Sequence, residues 1–383
     1  MKQFPKKLQS KLNQRKENNS FRELNSIASN LIDFTSNDYL GFSKSKSIFT
    51  NTHQYLTEHE LLQNGATGSR LLNGNHYLYT LVEEALCEFH ESETALIFNS
   101  GYDANLGLLS CIPQKDDFIF YDEYSHASIR DGISLSNAKS YKFKHNDLTD
   151  LQEKLLRLTK TNIKSEVYIV TESVFSMDGD SPNLIQFCDF CTQYNYHLII
   201  DEAHTLGVFG NGKGLIQELG IQDQIFARLV TFGKALGCHG SAVLGSRNLK
   251  EYLINFARSF IYTTALPLHT LATIESAYNE LKNTDAIKKL HYNIQFFKSE
   301  IKHKNLSTYF INSDSAIQSC IIPKNKLVKS ISNKLKESGF NVKPILSPTV
   351  SKGEERLRFC IHSYNSKEEI TKVLSFLATF VAA

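Results

Sequence analysis

Between residues 77 and 245 the sequence alternates between two periods, and this constrains the fold more than any other feature. Short apolar, β-branched runs recur: TALIFNS (94–100), DFIFYDE (117–123), EVYIVTES (166–173), YHLIIDE (196–202) and ARLVTFG (227–233). Helical patterns lie between or before them: LYTLVEEALCEFHESE (78–93), DLTDLQEKLLRLTK (147–160) and SPNLIQFCDFCTQY (181–194). Strands apolar on both faces are strands covered on both faces, so the expectation is an α/β domain around a mainly parallel sheet. Upstream, a charged helical stretch runs to about residue 29, and IDFTSNDYLGFS (32–43) reads as an extended entry segment. A long helical region follows Pro267, and a tail with the strand-like pieces QSCIIP and RLRFCIHS reads as a smaller α+β domain. The expected boundaries are an N-terminal segment 1–45, a large domain 46–285 and a small domain 286–383.

Forty-two basic residues against forty acidic ones leave a net charge of +2, a balance that calls for no nucleic-acid or membrane partner. No apolar stretch approaches the ~20 residues of a membrane span. The basic N-terminus lacks the apolar core of a secretory signal. Seven scattered cysteines point to a reducing, cytoplasmic setting. Cys188 and Cys191 form a CxxC on a helical pattern with no second pair, so no metal site is expected there.

Ligands of open α/β sheets bind beyond the carboxyl ends of the strands. One such end carries DEAHTLGVFGNGKG (201–214), which invites a nucleotide-motor reading. A phosphate-binding loop of that class needs Ser or Thr where Gly214 stands, and it should open its own strand–turn–helix unit. The motif fails on both counts. A different set of strand ends has a shared chemical logic. Lys234 follows the strand that ends in Thr231, Asp201 ends another, and His126 lies after a third. A turn at Ser100-Gly101-Tyr102 opens a helix. A buried lysine suits an imine, a carboxylate can keep a pyridine nitrogen protonated, a flat ring can cover the cofactor, and helix N–H groups with a hydroxyl from Thr231 can hold a phosphate. These are the requirements of pyridoxal 5′-phosphate.

The same residues lie in a series of motifs that resembles the α-oxoamine synthases, which join an amino acid to an acyl thioester. They are DFTSNDYLGFS (33–43), GATGSRLLNGNHYLY (65–79), FNSGYDANLGLLS (98–110), YDEYSHASIRDG (121–132), TESVFSMDGD (171–180), DEAHTLGVFG (201–210), TFGKALGCHG (231–240), FIYTTALP (260–267) and EERLRFCIHSYN (354–365). The resemblance implies the aspartate aminotransferase-like fold, called fold type I. It implies that Lys234 holds the cofactor and moves the substrate α-proton, that Asp201 pairs with the ring nitrogen, and that His126 stacks on the ring. His204 and Ser176 would lie near the phenolic oxygen. Ser100, Gly101, Tyr102 and Thr231 would hold the phosphate, with Thr263 or Thr264 reaching that of a neighbouring subunit in a homodimer. Arg358 would grip a substrate carboxylate. FIYTTALP and the tail look most like the branch that makes the biotin precursor 8-amino-7-oxononanoate from L-alanine and a pimeloyl thioester of coenzyme A or acyl carrier protein. Other branches of the family, and a fold type I aminotransferase or decarboxylase, are the alternatives.

Overall fold

The computed structural model describes residues 4–24, 30–158 and 165–382. Residues 25–29 of the expected N-terminal helical stretch, and 159–160 of the pattern DLTDLQEKLLRLTK, lie outside these. Two compact units emerge: Asn37–Ser176 with Ser181–Lys288, and Met1–Ser36 with Met177–Asp180 and Lys289–Ala383.

The second, smaller unit opens with α1 (Lys6–Glu17) and β1 (Ile32–Asp33). The larger unit continues with α2 (Lys46–Glu58), α3 (Tyr77–His90), β2 (Thr94–Phe98), α4 (Gly101–Cys111), β3 (Phe118–Asp122), α5 (Ala127–Leu135) and β4 (Lys139–Phe143). Next come α6 (Leu148–Leu158), β5 (Val167–Glu172), α7 (Leu184–Tyr194), β6 (His197–Asp201), α8 (Leu215–Glu218), β7 (Ala227–Thr231) and β8 (Ser241–Gly245). Then α9 (Arg247–Phe256), α10 (Arg258–Ile261) and α11 (Leu268–Asn283) precede α12 (Ala286–His303). The chain finishes with β9 (Ile317–Ile321), α13 (Asn325–Glu337), β10 (Phe340–Asn341), β11 (Lys343–Ile345), β12 (Arg356–Cys360) and α14 (Lys367–Ala382).

β2 to β8 form one seven-stranded sheet in the order β2-β8-β7-β6-β5-β3-β4. β8 runs antiparallel to both neighbours, and the other pairings are parallel. The expected mainly parallel sheet is thus present. Alternate residues of its central strands enter two different cores. Ile119, Tyr168, Val170 and Ile199 pack with α4, α5 and α9 side chains such as Leu108, Ile129 and Leu253. Phe120, Ile169, Leu198 and Ile200 pack with Leu151, Leu155 and Phe187. Such double coverage is why these strands read as unbroken apolar runs. Cys188 and Cys191 lie within that second core as free thiols, and burial raises both thiol pKa values.

Two strands of this seven-stranded sheet lacked a signal. β4 (KSYKF) is the sheet's edge, largely exposed, so it needs no apolar run. β8 (SAVLG) directly follows a turn containing Gly237 and Gly240.

In the smaller unit β9, β11 and β12 form an antiparallel sheet in the order β11-β12-β9. β1 pairs with β10, Ile32 beside Phe340, which ties residues 1–36 to the C-terminal part instead of leaving them as a segment of their own. The excursion Met177–Asp180 joins the same unit: the Ser313 and Ser315 hydroxyls both donate to the Gly179 carbonyl, and Arg356 pairs with Asp178. Among the described residues no helix is long and apolar enough to cross a membrane.

Candidate active site

The carboxyl ends of β2, β3, β5, β6 and β7 share one edge of the large sheet, because β8 alone is reversed. α4 starts at that edge directly after β2. Ser100 caps it: its Oγ accepts from the Asp103 backbone N–H at 3.1 Å and donates to Asp103 Oδ2 at 2.7 Å. This reciprocal cap holds the helix start in place. A Cβ on Gly101 would stand 2.5 Å from Thr231 Oγ1, so only glycine lets the first turn of α4 approach the end of β7 this closely. Thr231 Oγ1 is shielded from water and has no hydrogen-bond partner among the described residues. Tyr102 is 45% exposed, and its hydroxyl donates to Asp131 at 2.5 Å.

One turn along the same face of α4, Asn105 is buried and serves as a hub. Its Nδ2 donates to Asp201 Oδ2 at 2.8 Å and to Ser128 Oγ at 3.0 Å. Ser128 Oγ in turn bonds His126 Nδ1 at 2.8 Å. Asp201 Oδ1 accepts from the Ala203 N–H at 2.9 Å. The carboxylate is therefore oriented from both oxygens, and one side chain links it to the His126 ring. Although His126 is accessible to solvent, the surrounding protein removes enough water to lower its pKa; Asp201 opposes that and Lys234 adds to it. The His126 backbone N–H donates to Glu172 Oε1 at 2.6 Å. Burial, reinforced by the Asp201 charge, pushes the Glu172 carboxyl up to about 8.

Lys234 lies in the turn after β7, half-buried, with Nζ 2.8 Å from His204 Nε2. His204 is buried, and its Nδ1 lies 2.7 Å from the Tyr39 hydroxyl. The acidic and histidine residues of DEAH thus divide their work. Asp201 and His204 face the site, while Glu202 faces inward to Arg228 and accepts from the Ile216 N–H, holding the glycine-rich loop against the sheet.

Ser176 is half-buried a few residues beyond β5. Thr264 is exposed; its carbonyl accepts from Asn99 Nδ2 at 2.8 Å, and Thr263 Oγ1 accepts from the same amide at 2.9 Å. Arg358 belongs to the smaller unit, buried on β12 opposite Ser319 and Lys343. Within the larger unit the structure brings together Ser100, Gly101 and Thr231, then Asp201 with His126, then Lys234 with His204. Sequence reasoning did not single out Asn105, Ser128, Glu172 or Tyr39. The signal available for Asn105 was its position four residues after Gly101, on one helical face.

A lysine, an oriented carboxylate and a glycine-led helix at the carboxyl edge of such a sheet define an α/β enzyme of the aminotransferase type. The chain belongs to the aminotransferase class I and II family, whose pattern it matches over residues 29–377. It is 38% identical to the 8-amino-7-oxononanoate synthase of Emericella nidulans, over 98% of this chain and 95% of that protein. A crystal structure of 8-amino-7-oxononanoate synthase from Francisella tularensis superposes with a TM-score of 0.77 at 31% identity, covering 93% of this chain and 99% of that one. A structure of SPT with PLP as the internal aldimine gives a TM-score of 0.85 at 28% identity, over 92% of this chain and 87% of that one. The likeness to α-oxoamine synthases and the fold type I expectation are both borne out.

Proposed function

We propose that this protein is a pyridoxal 5′-phosphate-dependent enzyme that condenses L-alanine with a pimeloyl thioester, releasing carbon dioxide, the thiol carrier and 8-amino-7-oxononanoate. One observation carries the cofactor assignment: the water-shielded, unpartnered Thr231 hydroxyl faces the glycine-led start of α4, on the strand edge where Asp201 and Lys234 also lie. A buried hydroxyl without a partner is costly, and a phosphate beside a helix amino end would satisfy it. The choice of substrates rests on the 38% identity with the Emericella nidulans synthase over nearly the whole chain.

Bound pyridoxal phosphate supplies a ring that accepts negative charge from an amino acid's α-carbon. Lys234 Nζ would hold the cofactor, then take and return the α-proton. Asp201, fixed by Asn105 and the Ala203 N–H, would keep the ring nitrogen protonated. His126, held by Ser128 with its pKa lowered, is a neutral ring suited to lie against the cofactor's face. Ser100, Gly101, Tyr102 and Thr231 would hold the phosphate, and His204 and Ser176 would lie near the phenolic oxygen. Arg358 would bind a substrate carboxylate, for which a guanidinium fork is suited. A homodimer with Thr264 reaching the partner's phosphate fits the exposed apolar side chains Leu71, Leu72, Tyr77 and Tyr262 on the larger unit. Seven free cysteines support a cytoplasmic setting.

A second reading, serine with a longer acyl chain, draws on the higher TM-score with SPT, 0.85 against 0.77. Thiol release measured over a panel of amino acids and acyl thioesters decides between them. The expected outcome is fast release only with alanine plus a pimeloyl donor, and none from a Lys234→Ala variant, which should also lose its yellow imine absorbance. Preference for serine, or turnover by Lys234→Ala, refutes the assignment.

A further inference from the structure

Residues 263–266 are held at every position. Asn99 Nδ2 carries two hydrogens, and it donates to Thr263 Oγ1 at 2.9 Å and to the Thr264 carbonyl at 2.8 Å. A carbonyl only accepts, so the NH2 end of the amide is the end that faces the segment. The Ala265 N–H donates to the Gly68 carbonyl at 2.9 Å, and the Leu266 N–H donates to the Tyr79 hydroxyl at 2.7 Å. Tyr79 is buried, with the Arg70 guanidinium 3.8 Å from its ring centre. A Cβ on Gly74 would stand 2.7 Å from Ala265 Cβ, so this loop lies against the segment as closely as glycine permits. Within that fixed backbone Thr264 is exposed, and its own hydroxyl has no partner among the described residues. Ordering an exposed segment costs conformational entropy, and bonds from three separate stretches of chain offset that cost here. The result is a hydroxyl held in one place and left open, as a ligand group from outside the subunit requires. Asn99 also directly precedes Ser100 and Gly101, the turn that would hold the phosphate within its own subunit.

We propose that Asn99 is a positioning residue that presents the Thr264 hydroxyl to the cofactor phosphate of the partner subunit. One amide then stands between the phosphate turn of its own subunit and the hydroxyl given to the other. Without that amide, the Thr263 hydroxyl and the Thr264 carbonyl lose their donor. Residues 263 and 264 gain freedom, and the hydroxyl has to be ordered when the phosphate arrives. The inference rests on the proposed homodimer in which Thr264 crosses to the partner, and not on which substrates are used. The rival role is local, on the turn that Asn99 itself precedes.

Hybrid dimers separate the two roles. Each contains one Lys234→Ala subunit, so a single imine-forming site remains, built on the subunit that keeps Lys234 and completed by the partner's Thr264. Pyridoxal phosphate is titrated against the imine absorbance, which reads binding and not turnover. Asn99→Ala on the Lys234→Ala subunit should weaken binding about tenfold, the order expected for a hydrogen bond to a charged group. The same substitution on the subunit that keeps Lys234 should change binding less than about twofold. An equal or larger loss in that second arrangement, or no loss in either, overturns the proposal. Should Asn99→Ala not fold, Asn99→Asp keeps the size but turns a carboxylate toward the Thr264 carbonyl, and the same two arrangements decide. Adding Thr264→Val to Asn99→Ala on one subunit should cost no more than Thr264→Val alone, because one residue acts through the other; additive losses refute that. Sedimentation of the unaltered protein keeps the failures apart. A monomer, or a protein that forms no imine at all, refutes the underlying reading and this inference with it, whereas a dimer with the wrong arrangement refutes this inference alone.

Discussion

Glu172 ends β5 with 3% of its surface exposed and receives the His126 backbone N–H. Its carboxyl titrates near 8 because burial disfavours the charged form and the Asp201 carboxylate repels a second negative charge. The folded state therefore holds a proton that the unfolded chain releases near the ordinary carboxylate pKa. A raised folded pKa contributes stability in full at the acid end, and that contribution is lost as pH rises toward 8. In the cofactor-free protein, melting temperature should fall between about pH 5 and 8 more steeply than in Glu172→Gln, whose amide still accepts from His126 and never ionises. Parallel melting curves for the two proteins across that range would show that Glu172 is not the buried acid described here. At this scale the sequence singled out Lys234, Asp201 and His126 because each ends or follows a strand within one of the motifs. Glu172 stands in such a motif too, but its role depends on neighbours 29 positions or more away, which no local pattern reveals.

The β6–β7 pair is clamped by a buried ion pair. Arg228, on β7, donates from Nε and Nη2 to Glu202 Oε2 at 2.8 and 2.5 Å, and also to Gln217 of α8. The other Glu202 oxygen accepts from Thr205 Oγ1 and the Ile216 N–H, both at 3.0 Å. Neither partner is more than 4% exposed. Arg228→Leu leaves a carboxylate buried without its cation, which costs about 3–5 kcal/mol. Urea denaturation should register that loss, and Glu202→Gln should register one of similar size, because the amide turns an NH2 toward donors and leaves the Arg228 cation buried without its counter-charge. A change below about 1 kcal/mol for Arg228→Leu would mean that water reaches the pair. The glycine-rich GVFGNGKG is explained here as well. It wraps back over Glu202, so its resemblance to a phosphate loop comes from tight turns, not from nucleotide binding. The strands flanking it were readable from their apolar runs, whereas edge strand β4 was not, since an edge has only part of its surface to bury.

Across the whole molecule the near-neutral net charge conceals a division. The smaller unit's segments hold 22 Lys and Arg against 12 Asp and Glu, and the larger unit's hold 20 against 28. The first is thus +10 and the second −8, together the +2 of the chain. The proposed acyl donors, thioesters of coenzyme A or of acyl carrier protein, are both anionic, so under that proposal a basic unit would attract either one. Raising salt from about 0.05 to about 0.5 M should increase KM for the acyl donor several-fold and leave KM for the zwitterionic amino acid nearly unchanged. Equal sensitivity of both would remove that role for the charge. The sequence by itself determined the α/β layering, the family and the identity of the lysine, carboxylate and histidine at the strand ends, because alternating apolar periods and short motifs are local properties. Only tertiary structure decided that residues 1–36 group with the C-terminal part, that β8 runs against its neighbours, and that Asn105 and Tyr39 reach Asp201 and His204. Those are contacts between residues far apart in the chain, set by which faces pack and which buried polar atoms must find partners.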